Sequence, residues 1–243
     1  MTEAEWLAGT DPQTMLRHLG RKGGSRKLRL FAVACGRRAW EQIQDETCRR
    51  AVEVAERYAD RQAHTQARDQ MTRAVRALCG PRARACYSLA YHVVRGTRYT
   101  FVNAQIAAAH ANWTVTGVRV VGEAPAAEAA ESTAQCGLLR DIYGNPFRSV
   151  AAAATWLVWD GGTVRKLAQA IYDDRAFDRL PVLADALEEA GCANEEILNH
   201  CRRPSEHTRG CWAVDLLLGE SRECRATGEA PYPPGKGKWD EGR

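Results

Sequence analysis

From residue 163 to residue 220 apolar positions recur at helical spacing, and punctuating residues cut the run into short helices. Val164, Leu167, Ala168, Ile171 and Tyr172 follow the i, i+3, i+4, i+7, i+8 steps of one buried face. Thr163, after Gly161-Gly162, is read as the N-cap, its hydroxyl accepting an orphan backbone N–H. Asp173, Asp174 and Arg175 break the stripe, and Pro181 suits the first turn of the next helix, where its missing N–H costs nothing. Leu183, Ala186, Leu187 and Ala190 share a face that Gly191 closes in the left-handed conformation. Asn194 caps a helix through Ile197, Leu198 and Cys201, which Pro204 ends. A last helix carries Trp212, Ala213, Leu216 and Leu217 and stops at Gly219.

The first hundred residues repeat this grammar. Thr2-x-x-Glu5 reads as a capping box and Asp11 as a second cap. A helix from Ser25 puts Leu28, Phe31, Ala32, Cys35 and Ala39 on one stripe. Asp45 or Thr47 opens another through Ala51, Val52, Val54, Ala55 and Tyr58, and further helices cover Thr65 to Leu78 and Ala85 to Val94. Val102 to Trp113 also reads as helix. The β-branched run Val115 to Val121 fits a short strand or a strained helix end. Glu123 to Ala134 fits a helix or a linker, with helix preferred, continuing through Leu138, Leu139 and Ile142 to the stop Gly144-Asn145-Pro146. Beyond Glu220, Pro231, Pro233, Pro234, Gly235 and Gly237 predict a poorly ordered tail. The expected fold is all-α. An N-terminal helical array (residues 1–121) packs on a C-terminal helical bundle (122–220), followed by a flexible tail (221–243).

Charge changes this picture at one point. The net charge of +4 hides 19 Lys plus Arg against 10 Asp plus Glu in the first hundred residues, an excess of +9, and an acidic remainder. Such a half can attract nucleic acid or an acidic partner. The competing reading is a solvated surface in which acids three or four positions away cancel the arginines, as Glu46 with Arg49 and Arg50, or Glu53 with Arg57. That mottled pattern is a poor track for a phosphate backbone, so nucleic acid is the second reading, with Arg37 and Arg38 as its test positions. No apolar run approaches a membrane span, and residues 1–5 lack the pattern of a secretory signal, which leads to a cytoplasmic expectation. The nine cysteines include no CxxC pair and read as reduced, small core residues.

Candidate chemistry is sparse. Cys192, His200, Cys201, His207 and Cys211 supply the thiolates and imidazoles that zinc takes tetrahedrally, but without the usual close pair. The simpler reading puts the cysteines in a helical core and the histidines on loops, with no bound metal or other cofactor. Asn145-Pro146-Phe147-Arg148 is a rigid turn that either offers Phe147 and Arg148 to a partner or plugs the core. Trp156 and Trp159, just before Gly161-Gly162 and a helix start, either stack a ligand or anchor the core. Acid pairs such as Asp173-Asp174 adjoin and so diverge on a helix. GxSxG, HExxH and GxGxxG are all missing from the chain, which favours a non-enzymatic role.

Several long segments resemble one protein family. They are Leu138-Leu-Arg-Asp-Ile-Tyr-Gly-Asn-Pro-Phe-Arg148, Gly162 through Cys192, and His207-Thr-Arg-Gly-Cys-Trp-Ala-Val-Asp-Leu-Leu-Leu-Gly219, together with the opening Met1 to Leu7 and Lys27 to Cys35. The chain resembles a paralogue-rich bacterial family of helical proteins with no established activity. The likeness covers both ends; the middle departs from the Ala/Trp/Arg repeat similar proteins carry there. The resemblance implies a helical fold and brings no catalytic residue with it. The leading expectation is an interaction module that contacts another protein through a helical surface; a Cys/His metal protein or enzyme is the third reading.

Overall fold

The computed structural model describes residues 1–79, 85–95, 100–117 and 124–220, without the side chains of residues 21 and 22. Among these residues there are thirteen α-helices and no strand. The first eight are α1 (Glu3–Ala8), α2 (Pro12–Leu19), α3 (Ser25–Arg38), α4 (Glu46–Ala59), α5 (Thr65–Leu78), α6 (Ala85–Val94), α7 (Thr100–Thr116) and α8 (Pro125–Tyr143). Then come α9 (Ala154–Val158), α10 (Thr163–Asp174), α11 (Leu180–Glu189), α12 (Glu195–Arg202) and α13 (Trp212–Leu218). The all-α expectation holds. No described helix is long and apolar enough to cross a membrane. The strand alternative at Val115–Val121 is decided only in part: Val115 and Thr116 end α7, and residues 118–123 lie outside the described residues, as does the tail from 221.

Most helix starts follow their local chemistry. The Thr2 hydroxyl accepts from Glu5 N at 3.2 Å and the Glu5 carboxylate from Thr2 N at 2.7 Å, a complete capping box. Asp11, Asp45 and Asn194 cap α2, α4 and α12 through their side chains. Thr163 is an exception. Gly162 takes the cap position in the left-handed conformation, and the Thr163 hydroxyl donates backwards to Asp160 O at 2.8 Å.

Two hydrophobic cores form. The first is built around α3, which α4, α6, α7 and α8 surround, so residues on every side of it are buried from Leu28 to Gly36. Cys136, Leu138, Leu139 and Ile142 of α8 belong to this core. The break between the two buried clusters falls after α8. The apolar stripe of α8 faces back onto α2, α3 and α7. The second core gathers Ile171, Leu183, Leu187 and Leu216 as expected, with Leu167 and Trp212 partly buried against it.

The seam between the cores is polar. Arg26 of α3 donates to Asp215 of α13 at 2.6 Å, to Asp60 at 3.1 Å and to the Tyr172 hydroxyl at 2.8 Å. Glu56 accepts from Arg37 at 3.0 Å and also pairs with Arg175, which comes from the second core. Arg38 holds Glu131 at 2.7 Å and Glu206 across the seam. Arg26, Arg37 and Arg38 of the basic half are thus paired between helices, over long sequence distances, rather than along one helix face. Both partners of Arg26–Asp215 have left water, with side-chain exposures of 15% and 0%.

Two outcomes check this architecture. Leu187→Ala should cost about 2–5 kcal/mol in urea unfolding, the range for emptying a packed leucine site; a loss under about 0.5 kcal/mol would mean an exposed face. Arg26→Met should cost about 3–5 kcal/mol, because it strands the buried Asp215 carboxylate, and a second change of Asp215 to Leu should recover part of that loss. A cost for Arg26→Met that the second change leaves untouched would show that the pair does not couple the cores.

Candidate metal centre

Where α8 ends against the second core, Asp141, His200, His207 and Cys211 point one ligand atom each at a common space, and these four atoms lie within 4.8 Å of one another. Three different elements and one loop supply them. Asp141 sits in the last turn of α8, His200 in the last turn of α12, His207 in the loop after α12, and Cys211 at the N-cap of α13. Close backbone approach makes this possible. Gly210 has φ +91°, and a Cβ there would stand 2.8 Å from Leu30 Cδ1. Only glycine lets the loop press onto α3 at the step before Cys211. Gly144 has φ +62°, and a Cβ would stand 3.0 Å from the Trp212 ring, so α8 and α13 meet there as closely as backbone and indole allow.

The distances describe convergence on one point. His207 Nδ1 lies 2.6 Å from Asp141 Oδ1, His200 Nε2 lies 3.3 Å from the same oxygen, and His200 Nε2 lies 3.1 Å from Cys211 Sγ. A tetrahedral zinc with bonds of about 2.0–2.3 Å needs neighbouring ligand atoms about 3.3–3.8 Å apart, which small side-chain rotations reach from here. The outer atoms are held as ligands require. Asp141 Oδ2 accepts the Thr208 backbone N–H at 2.9 Å, which leaves Oδ1 to face inward. His207 Nε2 faces Ser205 Oγ at 3.1 Å and the Arg203 carbonyl at 3.4 Å. Such outer contacts fix the ring and the tautomer. The His200 ring lies edge-on to His207, at 4.9 Å between centroids, and tilted against Trp212 at 5.1 Å.

The same residue types could form a nucleophilic relay through Cys211, and the geometry argues against that one. A relay needs the carboxylate on one imidazole nitrogen and the thiol on the other. Here sulfur and carboxylate oxygen both face Nε2 of His200. Burial and the neighbouring Asp141 also push the Cys211 thiol well above its usual range, although the backbone amides of Ala213 and Val214 act the other way. A thiol in that state is not an activated nucleophile.

The titration of the other members follows from their contacts. Burial raises the Asp141 carboxyl, but hydrogen bonds to His200 and His207 outweigh it and leave it below the ordinary carboxylate range. Burial works against a charged His207, yet hydrogen bonding and attraction to Asp141 leave its imidazole above the ordinary histidine value. A dication at the centre would reverse the logic for the thiol, since coordination deprotonates it outright.

Of the five Cys and His residues that the sequence grouped, the fold brings together His200, His207 and Cys211. Cys192 and Cys201 are buried in the second core and stand outside the cluster. The fourth member, Asp141, was missed. Its only sequence signal is a carboxylate set among Leu138, Leu139 and Ile142, where the apolar stripe of α8 turns inward. The remaining candidates are scattered. Phe147 is half-exposed and stacks on His18 at 5.1 Å, and Arg148 pairs with Glu3 at 2.6 Å. Trp156 and Trp159 are partly buried against the second core. Arg37 lies over the Trp40 ring at 4.4 Å, and Arg38 is taken up by its two glutamates. Comparison with known proteins gives no match of this chain to a family model, to a curated protein or to a solved structure.

Proposed function

We propose that this chain is a zinc-binding helical protein in which one metal ion ties the C-terminal bundle to the N-terminal array, and that it works by binding rather than by catalysis. The observation that carries the reading is the convergence of four ligand atoms from both halves of the chain within 4.8 Å. One sulfur, two imidazole nitrogens and one carboxylate oxygen form a mixed donor set that suits zinc better than the hard cations, which prefer all-oxygen shells. Four protein ligands also complete a tetrahedron. That is the pattern of a structural centre; catalytic zinc keeps a position open for water or substrate.

The ligands' burial supports the same conclusion: Asp141 and His207 side chains are 3% and 6% exposed, and His200 is 16% exposed. A reducing compartment such as the cytoplasm suits a thiolate ligand, and the eight described cysteines are all free. The interaction role follows from what the metal would stabilise, a rigid helical surface with Phe147 at its edge. Nucleic acid is disfavoured as the partner, because Arg26, Arg37, Arg38 and Arg175 are engaged by internal carboxylates.

Metal analysis of the protein purified under reducing conditions should give about one zinc per chain, the stoichiometry of a single four-ligand site. Cobalt substitution should give a tetrahedral d–d spectrum with a thiolate charge-transfer band that disappears in Cys211→Ser. His207→Ala and Asp141→Asn should lower zinc affinity while Cys192→Ser leaves it unchanged. A folded protein that remains metal-free after zinc reconstitution would overturn the reading, as would zinc retention in both Cys211→Ser and His207→Ala.

A further inference from the structure

Beside the centre, but built from none of its ligands, a groove of about 960 Å³ runs between the start of α3, the end of α4, the turn after α8 and Trp212 of α13. That volume lies in the range of sites for small organic molecules. Its walls are rings: Tyr58, Tyr143, Phe147 and Trp212. Its charge is lopsided. Arg26, Lys27, Arg29, Arg61 and Arg148 line it, against Glu196 and Glu220.

Four of these five positive groups divide into two kinds. Arg26 and Arg148 are satisfied by carboxylates, Arg26 by Asp215 and Asp60 and Arg148 by Glu3. Lys27 and Arg29 are different. Among the described residues neither has a carboxylate within ion-pair distance. Lys27 Nζ donates to the Ile142 carbonyl at 2.6 Å and lies over the Tyr143 ring at 5.5 Å. Arg29 lies over the Tyr58 ring at 4.7 Å, and its Nε is buried with no hydrogen-bond partner. Burial lowers the affinity of both groups for their protons, which is the cost of holding a cation out of water without an anion. α3 itself begins at Gly24 and Ser25 with no side-chain cap, and both residues line the same groove. The first amides of a helix favour an oxyanion.

We propose that this groove binds a small organic phosphate, whose phosphate group meets Lys27, Arg29 and the opening amides of α3 and whose body packs against the aromatic walls. Phosphate fits better than a carboxylate because a tetrahedral oxyanion offers more acceptor oxygens to a set of cationic and amide donors. The rings then favour a flat, apolar body over a free ion. The neighbouring Arg26 stays committed to Asp215 and holds the floor of the groove in place.

Titrations of the full-length protein with phenyl phosphate, inorganic phosphate and phenol separate the parts. By calorimetry phenyl phosphate should bind about tenfold more tightly than inorganic phosphate, the contribution of one stacked ring. Phenol alone should bind more weakly than either. Amide resonances of Ser25 and Arg26 should shift during both phosphate titrations. Arg29→Met should weaken phenyl phosphate binding about tenfold, as loss of one charge-assisted contact does. Lys27→Met should do the same if it folds; Arg29→Met carries the test if it does not. The proposal fails if neither phosphate binds at millimolar concentration, or if Arg29→Met leaves the affinity within about twofold of the parent. It also fails if phenol binds as well as phenyl phosphate, which would make the groove an aromatic slot with no anion site. Because no metal ligand is altered, these outcomes are independent of the zinc content.

Discussion

Arg26 reaching from α3 to Asp215 is the contact on which the arrangement of the two cores depends. Each core buries its own apolar stripes, but they cannot merge, because the surface between them carries guanidinium groups and carboxylates. Burying those charges separately would cost several kcal/mol each; pairing them in a fixed geometry offsets the desolvation. Asp215 shows the balance directly: burial drives its carboxyl above the ordinary range even though Arg26 pulls it down. The pairing contributes register more than raw stability. Arg26 also engages Tyr172 and Asp60, so α3, α4, α10 and α13 are fixed relative to one another by one side chain.

The candidate metal centre is the same seam continued in another chemistry. Asp141 belongs to α8 and the first core, while His200, His207 and Cys211 come from the second half. A zinc ion there would add a crosslink to a seam otherwise held by ion pairs and by the close packing of Gly210 on Leu30 and of Gly144 on Trp212. It would also give the Cys211 thiol a reason to be buried among polar groups. Without a cation, a buried carboxylate, a buried thiol and two imidazoles depend on one shared set of hydrogen bonds. The zinc reading and the fold reading therefore support each other physically: what aligns the cores also assembles the ligands.

Arginine usage gives a second lesson about location. The excess of positive charge in the first hundred residues looks like a surface property, but its members have separate fates. Arg26, Arg37 and Arg38 are consumed in the seam. Arg68 lies over Tyr58, the same ring that Arg29 covers. Lys27 and Arg29, which have no carboxylate within ion-pair distance among the described residues, face a groove rather than open water. Counting charges could not separate these groups, because the sign of a field at a site depends on which cations already hold their anions.

Helices were legible from the chain alone because their causes are local. Apolar steps of three and four, Thr2 with Glu5, Asp11, Asn194 and the left-handed stop at Gly191 all act within a few residues. Local signals failed where a neighbour decided. The Thr163 hydroxyl turned back to Asp160 once Gly162 took the cap, and α8 joined the first core because its stripe faced α2, α3 and α7. The site was the least legible part. His200, His207 and Cys211 carry residue types that suggest a metal, but their spacing argues against one, and Cys192 and Cys201 are indistinguishable from them in sequence. Only tertiary packing brings the end of α8 to the start of α13 and makes Asp141 the fourth member of the cluster. Sequence therefore determined the helices and their buried faces, which depend on neighbours three and four residues away. Tertiary structure decided which charges are paired and which ligands converge, because those interactions act through space between distant segments.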